Sequence, residues 1–86
     1  MRTCEKILKD YKRSRLSLLK DQKELKELNE KPFTTYNEMV RMESQREYLN
    51  TNIGYMKDVV KFFEIYVLES EEIVKMDKEI EEELSR

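Results

Sequence analysis

The sequence predicts an all-α protein: an antiparallel helical hairpin whose long, coiled-coil-like second helix dimerises into a helical bundle. Three observations carry that prediction. The 86 residues include one glycine and one proline, so the clustered turn residues that a sheet requires are missing. Apolar side chains recur at intervals of three, four and seven, which keeps one side of a helix dry. A single interruption, Lys31-Pro32-Phe33-Thr34-Thr35, separates two such periodic stretches. Charged residues make up 42% of the chain, but the net charge is only −2; with periodic apolar residues, that balance favours helices over disorder.

The whole chain, 1–86, reads as one small helical domain. Its first helix is expected over about 3–30, on the apolar series Cys4, Ile7, Leu8, Tyr11, Leu18, Leu25 and Leu28. Lys20 with Glu24 and Lys23 with Glu27 stand four apart and add modest ion-pair support. The loop 31–35 follows from its residues. Pro32 disfavours the α region for Lys31 and so closes the first helix. Thr35, three residues before Glu38, reads as a capping box that opens the second. A loop this short makes the two helices antiparallel.

The second helix is expected over about 36–84. Its apolar positions alternate by threes and fours as a coiled-coil seam does, through Met39, Met42, Arg46, Leu49, Ile53, Met56, Val60, Phe63, Val67, Ser70 and Val74. Only Arg46 and Ser70 depart from the rhythm. Asn50, Thr51, Asn52 and Gly54 are weak helix formers, but the rhythm keeps its phase through them, so one helix is expected with 50–54 as the place where it could bend. The alternative is a three-helix bundle broken near Gly54.

Helix lengths then argue for a partner. At 1.5 Å per residue the first helix measures about 40 Å and the second about 75 Å. The stretch from Val67 onward would find nothing of its own chain against it, although Val67, Ile73, Val74, Ile80 and Leu84 continue the apolar pattern. Val59, Phe62, Ile65, Tyr66 and Leu68 point away from the main seam, and a helix apolar on several sides is buried on several sides. An identical subunit is the simplest cover. The candidate protein interface is Met56, Val60, Phe63, Tyr66, Val67, Ile73 and Val74, and a charge placed by Phe63→Asp is expected to split the dimer and largely unfold it. Residues 1–20 hold seven basic and two acidic side chains, and residues 64–86 hold nine acidic and three basic. That asymmetry suits an antiparallel dimer, with the acidic tail of one copy beside Lys57 and Lys61 of the other.

Catalytic motifs are missing. One glycine rules out the glycine-rich nucleotide loops and the GxSxG elbow. Without histidine there is no Ser-His or Cys-His catalysis and no Glu-x-x-His metal pattern. Cys4 reads as a small apolar residue on the dry face. Glu71-Glu72 and Glu81-Glu82-Glu83 read as a solvated face, since position 75 is lysine and no Glu-x-x-Asp occurs. The tyrosines and methionines fill core or interface. No cofactor or metal is expected.

The expected function is therefore non-enzymatic protein–protein interaction, as an adaptor, regulator or assembly subunit, with itself first and another protein second. The alternative is a nucleic-acid-contacting regulator of the small phage or prophage type, using the basic first helix through Lys6, Lys9, Lys12, Arg13 and Arg15. In size and Lys/Glu/Ile-rich composition the chain is similar to many short phage proteins, a likeness of composition that brings no functional residues with it. The densest apolar run, around residues 59–68, is half of what a membrane span requires. The start at Met1 reads as untagged and lacks a signal peptide's apolar stretch. With a free thiol, this gives cytoplasmic localisation as the expectation.

Overall fold

Lys31 and Pro32 act as the sequence anticipates. In the computed structural model, which describes residues 4–86, Lys31 is extended at φ −78°, ψ 126°, the conformation that a following proline enforces. The first helix, α1 (Glu5–Glu30), stops there. Its expected start at Thr3 lies outside the described residues. The second helix, α2 (Tyr36–Phe62), opens on Thr35, whose hydroxyl accepts the Glu38 amide at 3.1 Å. Glu38 reaches back one residue further than a simple capping box, accepting from the Thr34 amide at 3.3 Å and the Thr34 hydroxyl at 3.1 Å. Those bonds satisfy amides that the first turn would otherwise leave bare.

The two helices lie antiparallel and pack along the heptad seam. Near the loop, Leu28 meets Met42 and Leu49, with Leu25 against them. Farther along, Ile53 and Val60 are buried on the same face of α2. Arg46, which breaks the apolar rhythm, is half-buried there. It donates across to Asn29 of α1 at 2.8 Å and pairs with Glu43 on its own helix. Asn52 likewise donates to Asp21 of α1 at 3.3 Å. These polar bridges hold the hairpin in register where the seam is not apolar.

Gly54 does not end α2. It lies inside the helix without positive φ, and an added Cβ would meet nothing within 4 Å. Gly54→Ala should therefore stabilise the protein by about 0.8–1.0 kcal/mol, the helix-propensity difference alone. A thermal melt checks this, and an unchanged or lowered midpoint would mean that position 54 is not ordinary helix.

The chain turns instead at Leu68. Beyond α2 a π turn, Phe63–Val67, is closed by the Leu68 amide donating to the Phe63 carbonyl at 2.8 Å. Leu68 (φ −94°, ψ 145°) and Glu69 (φ −84°, ψ 157°) are extended. The third helix, α3 (Ser70–Leu84), starts on a reciprocal cap in which the Glu69 amide donates to Glu72 Oε1 at 3.1 Å. This corrects the expected single helix over 36–84 and, equally, the alternative break near Gly54. Neither glycine nor proline marks the turn. Packing does: Leu68 drops into a core of Tyr11, Val60 and Met76, with Leu8, Leu18, Phe63, Val67 and Ile73 around it.

Among the described residues the fold is all-α, a hairpin of two long helices with a shorter third laid back on α1. It measures 55 × 27 × 17 Å with a radius of gyration of 16.2 Å. A sphere-like domain of this length would have about 12 Å. So thin a body leaves much of each helix without a neighbour.

Candidate interaction surface

Tyr11 is the pivot on which α3 docks. Its side chain is fully buried (0% exposed), with its ring 5.8 Å from that of Phe63 at an interplanar angle of 59°. Its hydroxyl donates to Glu64 Oε1 at 2.9 Å and accepts from Arg15 at 3.4 Å. Burial, reinforced by the Glu64 carboxylate, raises the phenol above its ordinary pKa, with Arg15 acting the other way. The Arg15 guanidinium also lies 5.8 Å from the Tyr11 ring centroid. From α3, Met76 and Ile80 supply the buried side chains, Asp77 pairs with Arg15, and Glu83 meets Lys12 at 2.8 Å. The Glu83 contact also raises the Lys12 pKa.

These contacts redistribute the expected interface. Val60 is buried and Phe63, Val67 and Ile73 are half-buried in the chain's own core around Tyr11; Met56 is half-buried on the same face of α2. The premise that the stretch beyond Val67 has no cover from its own chain is thus overturned, because α3 doubles back over α1. Only Tyr66 and Val74 of that set remain largely exposed, Val74 at 67%. Charge complementarity is likewise met within one chain, between the acidic α3 and the basic start of α1. Two of the five cations considered for nucleic acid, Lys12 and Arg15, are engaged by α3, while Lys6, Lys9 and Arg13 are exposed.

A different face of α2 stands open. Tyr48, Tyr55, Phe62 and Tyr66 are 57–75% exposed, and Ile65 beside them is equally open. Their spacings of seven, seven and four place them on one stripe. The rings of Phe62 and Tyr66 lie against each other with centroids 5.3 Å apart. At roughly 100° per residue the stripe runs about a third of a turn around α2 from the buried seam. One side of α2 therefore serves the hairpin, and the adjacent side presents aromatic rings to solvent. The sequence marks Phe62, Ile65 and Tyr66 as pointing away from the seam, whereas its reading of Tyr48 and Tyr55 as core or interface filling does not single out their exposure. The regular step of seven from Tyr48 to Tyr55 to Phe62 was the available signal.

Exposed apolar patches beyond a few hundred Å² mark surfaces that contact proteins, membranes or ligands. With aromatic side chains burying some 150–250 Å² each when covered, the open part of this stripe amounts to about 600 Å². Among the described residues, no cluster of His, Cys, Asp or Glu has the geometry to hold a metal ion, and no helix is long and apolar enough to cross a membrane. The chain matches no family model, no curated protein and no solved structure.

Proposed function

We propose that this chain is a non-enzymatic protein–protein interaction module, of the adaptor, regulator or assembly-subunit kind, that pairs with a second copy of itself through the outer face of α2. The observation behind this reading is the stripe of Tyr48, Tyr55 and Phe62, exposed at heptad spacing on α2, with Tyr66 of the following π turn against Phe62. Heptad-spaced apolar side chains are what a facing helix takes into its holes. Aromatic residues are also the type most enriched where proteins meet. The stripe's open area of about 600 Å² approaches the roughly 800 Å² per partner of an ordinary specific interface. A second copy carries the same stripe, so an isologous pair needs nothing that the chain lacks.

Phe62→Glu tests the proposal. The ring is exposed in the single chain, so the substitution should leave the melting midpoint of the dilute protein nearly unchanged. In the pair it sets a charge in an apolar contact, and the dissociation constant should rise at least about 30-fold, as for an interface hot spot of some 2 kcal/mol. Sedimentation equilibrium over a concentration series reads this directly. Wild-type protein that stays monomeric throughout the series would defeat the proposal.

A further inference from the structure

The aromatic stripe does not end where α2 ends. Its alternation of fours and threes, running 48, 52, 55, 59, 62, 66, continues without a slip through 69, 73, 76 and 80. The later positions are Glu69, Ile73, Met76 and Ile80, and the last three are the residues with which α3 packs on the rest of the chain. Apart from Asn52, which donates to Asp21 of α1, and Glu69, the aromatic stripe with half-buried Val59 and the dry face of α3 are two halves of one apolar heptad series, cut by the extended pair Leu68 and Glu69. Nothing in the local sequence demands the cut. Phe63, Glu64, Ile65, Tyr66, Val67, Leu68, Glu69 and Ser70 include no glycine, proline, asparagine or aspartate, the residues that ordinarily stop a helix.

We infer that when two copies pair, α2 and α3 join into one helix over 36–84, and that its seam from Tyr48 to Ile80 is the surface the second copy covers. The inference rests on the self-pairing proposed above and says how that pairing is built. Folded back, the single chain hides the second half of the seam against Tyr11 and leaves the first half bare. Straightened, it offers both halves as one stripe, and Ile73, Met76 and Ile80 are covered by the partner in place of α1. The exchange gives up the part-buried ion pairs Lys12–Glu83 and Arg15–Asp77 and the cover that Leu68 and Met76 give Tyr11, and the seam against the partner has to offset both. The long helices run antiparallel. Residues 64–86 carry nine acidic and three basic side chains, whereas 36–62 carry four of each. A parallel pair would set two acidic halves side by side, and an antiparallel pair sets each against a neutral one.

Ser70→Pro separates the pairing from the straightening. Residue 70 is the first position of α3, where proline is well tolerated, and Glu69 already has the extended conformation that proline imposes on its predecessor. The folded-back chain should accept the substitution with little change in melting midpoint. A continuous helix cannot, because the ring would strike the carbonyl of Tyr66. The dissociation constant should therefore rise at least tenfold. Spin labels on Lys61→Cys and Glu82→Cys, in a Cys4→Ser background and diluted into excess unlabelled protein, give the geometry. Both positions are exposed. Their separation should be about 32 Å along a straight helix and about 20 Å, two helix diameters, in the folded-back chain. The expected result is a shift from the short to the long distance as total concentration rises through the dissociation constant. Ser70→Pro protein that dimerises like wild type, or a short distance retained in the dimer, would overturn the inference while leaving the pairing intact. A wild type that never dimerises would remove both.

Discussion

Replacing Tyr11 with alanine should cost about 4 kcal/mol of stability, the usual price of deleting a buried aromatic ring and leaving a cavity behind. Tyr11 is fully buried, and its ring contacts elements far apart in the chain: Val60 and Phe63 near the end of α2, Leu68 at the turn, and Met76 of α3. A protein of this length has only about 4–13 kcal/mol in total. The variant should therefore melt with a midpoint lowered by about 15–30 °C, or be unfolded at room temperature. Tyr11→Phe keeps the ring and loses the hydrogen bond to Glu64, and should cost only about 1 kcal/mol. Chemical denaturation of the three proteins at low concentration orders them. An alanine variant within 1 kcal/mol of wild type would show that the Tyr11 cluster does not hold the fold together.

Ile80→Ala should cost about 3 kcal/mol and act mostly on α3. Ile80 is 2% exposed, and with Met76 it is one of the two buried side chains of a 15-residue helix. Helices that short are marginal in water without packing. Loss of the Ile80 contact should lift α3 from α1, and the amides of Ser70–Leu84 should exchange hydrogen much faster. The Leu28, Met42 and Leu49 cluster at the far end should stay protected, because it shares no side chain with the Tyr11 core. Hydrogen exchange resolved by segment reads both ends at once. Uniform loss of protection along the whole chain would mean that α3 and the hairpin form a single cooperative unit. Val74→Ala, on the exposed side of the same helix, is the control and should change stability by less than about 0.5 kcal/mol.

These two substitutions differ from the surface change Phe62→Glu in what they perturb. Tyr11 and Ile80 hold the single chain together, and Phe62 faces solvent beside Tyr66. Such a set separates the fold of one chain from the proposed self-association because Phe62 is exposed whereas Tyr11 and Ile80 are buried. Phe63, expected from the sequence to seal a dimer, belongs with Tyr11 in the first group. Its replacement by aspartate acts on the fold of one chain before it acts on any pairing.

Local chemistry wrote the hairpin plainly in the sequence. Pro32 ends α1, Thr35 and Glu38 start α2, and the threes and fours from Met39 to Val67 bury the seam that α1 covers. Each of these depends on neighbours within a few residues, or on a periodicity read along one helix. The direction of α3 is of another kind. No residue from Phe63 to Ser70 is a helix breaker, so the turn at Leu68 and Glu69 arises from contacts with Tyr11, more than fifty positions away. Local propensity is blind to such contacts, and the heptad rhythm, unbroken across the turn, pointed to a straight helix. The sequence alone therefore settled the all-α class, the hairpin and its caps. Only the tertiary structure decided which apolar residues serve the chain's own core and which, from Tyr48 to Tyr66, are left facing solvent, because burial is a property of what packs nearby and not of the residue that is buried.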